Sequence, residues 1–298
     1  MAWLNWPVEL ATGQDRPVAR HEQNERLRLD LHGDPSRAGL VVCSDGNHHM
    51  ALERALQAFA QAHPALEEIF YTTTPPRIAL QILQGDALQI GNFRLSVVPH
   101  VFIGPSHVLD KLTAAGTISR SRPFMRSRGV VLLVRKDNPK HINGIGDLLR
   151  DDVRLFLSNP DAERVSYQIY TDCLRRLADG QGITLDFLAH PPGRPNPERL
   201  IYGELIHHRE APQAVADGRA DTAAVFYHLG LRYRRIFPEL FDFVWPVESL
   251  DSQPCDAGVS SCGLVGGGGE WGHALLDFLH GDAVTQIYAY HGLIRADA

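Results

Sequence analysis

"CSDGNHHMALERALQAF", residues 43–59, runs from the end of an apolar strand, through small and polar residues, into a helix. Residues 40–43 form the strand, and Met50, Leu52, Leu56 and Phe59 fall at helical spacing over 50–62. Two adjacent histidines, His48 and His49, lie at the junction, and Asp45 beside Gly46 is a turn signature. The same pattern returns in "IFYTTTPPRIALQILQGD", residues 69–86: a strand over 69–72, a threonine and proline turn, and a helix over 77–84 stopped by Gly85. It returns again in "HVFIGPSHVLDKLTAAG", residues 100–116, with a strand over 101–103, a Gly-Pro-Ser turn and a helix over 108–115. Three strand–turn–helix units in succession predict a mainly parallel sheet covered by helices.

A second α/β unit begins with "GVVLLVRKDNP", residues 129–139, a longer β-branched strand ending at a polar turn. A short helix, a strand over 153–157 and an amphipathic helix over 166–178 follow. "HPPGRPNPERL", residues 190–200, holds four prolines and reads as an irregular surface loop. Beyond it are expected a strand over 205–207, a helix over 210–217 and a strand over 222–227. The glycines 266–269 lack a following Lys-Ser or Lys-Thr, so they read as a flexible connection rather than a phosphate loop. A helix over 271–279 and "DAVTQIYAYHGLIRAD" close the chain.

Composition narrows the function classes. With 298 residues, 44% hydrophobic and 21% charged, the chain is globular and large enough for two domains. A formal charge of −6 and the lack of any basic stripe exclude a general nucleic-acid binder. The longest apolar stretch, around residues 129–134, is far shorter than the roughly 20 residues that cross a bilayer, so no transmembrane segment is expected. The first residues lack a basic region followed by an apolar run, which reads as a cytoplasmic chain or as a processed form of an exported one. Four scattered cysteines support neither a zinc framework nor a disulfide-dense scaffold; a Cys255–Cys262 bridge is weighed against two independent thiols, and the thiols are favoured.

The order of segments resembles a known family. "HMALERALQAF", "TTTPPRIALQILQGD", "VFIGPSHVLDKLTAAGTI", "VVLLVRKDNP", "LSNPDAERVSYQIY", "APQAVADGRADTAAVFY" and "FLHGDAVTQIYAYHGLI" are similar, in that order, to the successive blocks of the molybdate/tungstate-type substrate-binding proteins of ABC importers. The resemblance spans about residues 39–296. It implies a type II periplasmic-binding-protein fold: two α/β lobes joined by two hinge crossovers and closing over a ligand. Residues 39–125 with 247–298 would form lobe one, 126–246 lobe two, and 1–38 an N-terminal extension. It further implies a periplasmic monomer that binds a small anion in an interlobe cleft, without cofactor, metal or catalysis, and passes it to the membrane subunits of an importer.

Carried over residue by residue, the first anion-binding turn falls on Asn47 and His48, and the second on Thr73 and Thr74. The third, at a helix start in the other lobe, falls on Ser166 and Tyr167; the fourth falls on His208, with Arg209 beside it. The family's closing aromatic hydroxyl aligns with Phe226 or Tyr227. Asn47 replaces a small hydroxyl residue, and Pro75 and Pro76 remove two N–H donors. His208 and Arg209 add donors and a permanent charge, which suits a small carboxylated or phosphorylated acid.

Plainer readings stand beside these. His48 and His49 serve equally as packing at a helix start, Arg209 as a partner for a surface carboxylate, and Thr72–Thr74 as a polar turn. His207 and His208 would face opposite ways on a continuing strand, so one at most would reach a ligand. A metal-dependent hydrolase could draw on His48, His49, His207 and His208 with Asp45 and Glu210, although no H-E-x-x-H spacing occurs. A cytoplasmic anion sensor could use residues 1–38 as a partner-binding arm, with "RLRLDLHG", residues 26–33, adding an edge strand to a lobe or to another protein.

Overall fold

The computed structural model describes residues 31–74, 79–80, 82–83, 87–90, 93–189, 199–204, 206–247 and 258–297. In chain order the first part comprises β1 (Leu31–His32), β2 (Leu40–Ser44), α1 (His49–Ala62), β3 (Ile69–Thr73), β4 (Leu88–Ile90), β5 (Phe93–Leu95), β6 (Val101–Pro105), α2 (Ser106–Ala114), β7 (Ile118–Pro123) and β8 (Met125–Ser127). The middle part comprises β9 (Val130–Arg135), β10 (Leu155–Leu157), α3 (Arg164–Asp179), β11 (Leu200–Tyr202), α4 (His207–Ala216), β12 (Thr222–Phe226), α5 (Tyr227–Ile236) and β13 (Phe241–Val244). The last part comprises β14 (Ser260–Val265), α6 (Gly269–Leu279), α7 (Asp282–Tyr290) and β15 (Leu293–Arg295).

The chain divides into two compact units. One spans Ser127–Gly258; the other runs to Arg126 and resumes at Val259, so the chain passes between them twice. The return falls later than the boundary expected at 246/247.

The discontinuous unit holds a sheet ordered β1-β3-β2-β6-β14-β7, in which β2 is parallel to β3 and β6 while β14 is antiparallel to β6 and β7. The continuous unit holds β11-β10-β12-β9-β13, with β10 parallel to β11 and β12, and β9 antiparallel to β12 and β13. Each sheet therefore has three parallel strands in the order second, first, third, followed by an antiparallel strand next to a passage between units. Both sheets are mixed rather than mainly parallel, because strands made just before or after a passage close them.

The apolar run of β2 shows why both sheet faces must be covered. Leu40 and Val42 enter one core cluster with Leu52, Leu56 and Phe59 of α1, whereas Val41 and Cys43 enter another with Phe102, Leu109 and Leu112. Alternate side chains point to opposite faces. In the continuous unit Val130–Val134, Leu155–Leu157 and Ala223–Phe226 are all buried in one core with Tyr170 and Leu174 of α3. Each fully buried large side chain contributes about 1.5–3 kcal/mol.

Several expected boundaries shift. Gly104 and Pro105 belong to β6 and Ser106 opens α2, so there is no Gly-Pro-Ser turn ahead of a helix at 108. The strand expected over 205–207 lies instead at Leu200–Tyr202, and the next helix begins at His207 rather than Glu210. Residues 79–80 and 82–83 are helical, while Pro75, Pro76 and the rest of the 77–84 helix lie outside the described residues, as does most of the proline loop at 190–200. The tail of the 26–33 segment adds an edge strand to this chain's own sheet: β1 pairs antiparallel with β3, and His32 stacks on Tyr71 at 4.4 Å. Gly266, Gly268 and Gly269 adopt positive φ, which explains the glycine run as a tight turn into α6.

Cys43 and Cys262 are free, buried thiols, which rules out the Cys255–Cys262 bridge; burial pushes each of them up to about 12, so neither is a ready nucleophile. Cys173, on α3, is disulfide-bonded. Cys255 lies outside the described residues. No helix among the described residues is long and apolar enough to cross a membrane.

Candidate functional site

In open parallel sheets, ligands bind beyond the carboxyl ends of the strands. In the discontinuous unit those ends belong to β3, β2 and β6, and the register brings them side by side: Ser44 pairs with Thr73 on one side and Ile103 on the other. Beyond β2, Asp45 accepts the Asn47 N–H on Oδ1 at 2.8 Å, an Asx turn that leads into α1. Asn47 is half-buried on this turn. His48 is only 1% exposed; its ring lies 5.7 Å from Phe124, nearly parallel, and 5.7 Å from Tyr288. Its Nε2 is 4.0 Å from Asp45 Oδ1, and burial holds its pKa below the ordinary value although Asp45 pulls the other way. The side chain packs against these rings, and its Nδ1 is buried without a hydrogen-bond partner among the described residues. His49 is buried as well.

Thr73 ends β3 and Thr74 follows it, donating its N–H to the Ser44 carbonyl at 3.0 Å. Both hydroxyls are buried, and neither has a hydrogen-bond partner among the described residues. Such a group forfeits about 1–3 kcal/mol, so two together at strand ends form a feature that folding alone does not explain. Ser106, which the sequence reading passed over, begins α2 at the end of β6 and its Oγ lies 2.8 Å from that of Ser261. Its only sequence signal is its place after an apolar strand.

The continuous unit repeats the arrangement at the ends of β11, β10 and β12. Ser158 follows β10, fully buried, and its hydroxyl has no partner among the described residues. Asn159 caps the approach to α3 by accepting the N–H groups of Asp161 and Ala162 at 2.8 and 2.9 Å, and it donates from Nδ2 to the Gly203 carbonyl at 2.8 Å. Ser166 and Tyr167 are half-buried in the first turn of α3, with Tyr167 edge-on to Tyr202 at 6.0 Å. After β12, Phe226 is buried whereas Tyr227 is half-buried, stacked on Trp245 at 4.8 Å with the Arg128 guanidinium 5.7 Å from its ring.

His207 and His208 are the first two residues of α4, not strand residues. His207 points into the core and donates from Nε2 to the Ala224 carbonyl at 2.8 Å, which fixes the proton on that nitrogen. His208 is half-buried and its carbonyl accepts the Tyr233 hydroxyl at 2.6 Å; Arg209 is half-buried beside it. The strand geometry expected to turn the pair to opposite faces is absent, and His207 is buried while His208 is half-buried at a helix start.

Burial lowers His207 to about 4, an effect the Ala224 carbonyl only partly offsets. Its unfolded value is near 6.5, so the unfolded chain takes up a proton first as pH falls. Stability is complete above about pH 6.5 and declines towards pH 4, by about 2–3 kcal/mol at pH 4.5. Denaturant unfolding at pH 7 and pH 4.5 measures the loss, and His207→Gln is expected to remove most of it.

Among the described residues no group of three or more His, Cys, Asp or Glu could hold a metal ion, so the histidine pairs lack the ligand set that a hydrolase needs.

A family profile described as bacterial extracellular solute-binding protein matches residues 40–294. No curated protein matches the chain. Among solved structures, the periplasmic molybdate-binding protein of Azotobacter vinelandii superposes with a TM-score of 0.55 at 16% identity, covering 86% of this chain and 98% of that one. The sulfate-binding protein of Mycobacterium tuberculosis gives 0.58 at 15%, covering 87% and 86%. PEB3 of Campylobacter jejuni with bound L-phospholactate gives 0.59 at 13%, covering 86% and 99%. These likenesses establish the type II periplasmic-binding-protein fold. The matching family is one of binding proteins and not of enzymes. By the match over residues 40–294, this chain belongs to the bacterial extracellular solute-binding proteins.

Proposed function

We propose that the chain captures a small anion, as a monomer, and hands it to the membrane subunits of an ABC importer. The observation that carries this reading is the set of buried hydroxyls without partners among the described residues, Thr73 and Thr74 in one unit and Ser158 in the other, each at the carboxyl end of a parallel strand. Each hydroxyl can donate its hydrogen to an anion. Asn47, Ser166, Tyr167 and Tyr227 supply further neutral donors, and His208 and Arg209 supply donors with a permanent positive charge. His48 shapes the first turn from behind. The family's description and the fold shared with molybdate- and sulfate-binding proteins support the same class of ligand.

A thermal-shift screen of the full chain against molybdate, tungstate, sulfate, phosphate, small carboxylates and divalent metals tests it. At 100 times Kd a ligand adds about 2.7 kcal/mol, a rise of several degrees. At least one anion is expected to give that rise. Stabilisation by metal ions alone contradicts the reading.

A further inference from the structure

In the continuous unit the antiparallel strand β9 begins where the parallel strand β12 ends. Phe226 pairs with Val130, and the Tyr227 N–H donates to the Gly129 carbonyl at 2.9 Å. Because β9 runs the other way, Arg128, just before its start, lies at the carboxyl end of β12 beside Tyr227. Ser158 follows β10, which is parallel to β12, so it stands at the same end of the sheet. That is the end at which such sheets bind ligands. The backbone around Arg128 is held in place. Ser127 is buried and its hydroxyl donates to the Gly129 carbonyl at 2.9 Å, the carbonyl that also accepts the Tyr227 N–H.

Arg128 itself is exposed, with its guanidinium 5.7 Å from the centre of the Tyr227 ring, and that ring is stacked on Trp245. Among the described residues its guanidinium has neither an ion pair nor a hydrogen bond. Arg234 differs: it lies 4.5 Å from the Phe243 ring and pairs with Asp242 at 3.6 Å. A guanidinium resting on an aromatic ring is oriented by it and keeps its in-plane N–H donors for another group. Its planar fork matches two oxygens of one acid group. We propose that Arg128 is a further ligand-binding residue, which pairs with two oxygens of the captured anion beside the Tyr227 hydroxyl. The shared chemistry it recognises is an ionised acid group with two free oxygens, whether on an inorganic oxyanion or on a small organic acid. The proposal rests on the anion-binding reading and deepens it.

Titration calorimetry of the full chain at pH 7 tests it, with phosphate, sulfate, molybdate and lactate as probes, on the wild type, Arg128→Gln and Arg234→Gln. At 0.15 M salt the screening length is about 8 Å, so a charge that acts only from a distance contributes little. The affinity for whichever probe binds the wild type most tightly is expected to fall about tenfold or more in Arg128→Gln. In Arg234→Gln it is expected to change less than about twofold, since that charge is exposed and already paired. The melting curve of ligand-free Arg128→Gln is expected to match the wild type, because an exposed side chain is removed. An affinity unchanged in Arg128→Gln overturns the proposal, as does an equal loss in Arg234→Gln, which would be a general effect of charge. A wild type that binds none of the probes overturns the anion-binding reading with it.

Discussion

Replacing Thr73 and Thr74 together by valine is expected to weaken anion binding at least 100-fold while leaving the chain as stable as before, or more so. Both hydroxyls are buried and without partners among the described residues. A hydrogen bond to a charged group is worth about 1.5–3 kcal/mol, so losing two removes roughly 3–6 kcal/mol of binding. Tenfold corresponds to about 1.4 kcal/mol. In the ligand-free chain the same substitution removes two orphaned polar groups and keeps side-chain volume, and valine suits a strand. Calorimetry and a melting curve on the double variant separate the two effects. A melting point lowered by several degrees with affinity unchanged would mean that the hydroxyls serve the fold and not a ligand.

Reduction of the Cys173 disulfide, or Cys173→Ser, is expected to cost the continuous unit about 4 kcal/mol. Removing a native disulfide typically costs about 2–5 kcal/mol. A unit of this size then melts more than 5 °C lower. Scans with and without reductant measure the shift, and intact mass before and after alkylation counts two free thiols if the pairing holds. Four free thiols in the native chain would contradict it.

Local periodicity made β2, β3, β6 and the helices α1 and α2 legible, with α2 starting two residues earlier than expected. Antiparallel closure was not, since β14 pairs with β6 and β7 from more than a hundred residues away. The start of α4 was misread for a similar reason: the group that engages its first N–H is Glu163, 44 positions earlier. His48 became a core residue through Phe124 and Tyr288, neither of them near it in sequence. Thr73 and Thr74 were marked by the resemblance, but only the structure reveals that their hydroxyls are buried without partners among the described residues. Ser158 and Glu163 carry no motif.

The most direct test is a calorimetric titration of the wild-type chain, at pH 7 and low ionic strength, with phosphate, sulfate, molybdate and a hydroxy acid in turn. The account predicts saturable binding of at least one of them, with one anion per chain and an affinity that falls sharply in the Thr73→Val, Thr74→Val variant. Binding of no anion, alongside saturable binding of a neutral or cationic solute, would contradict it.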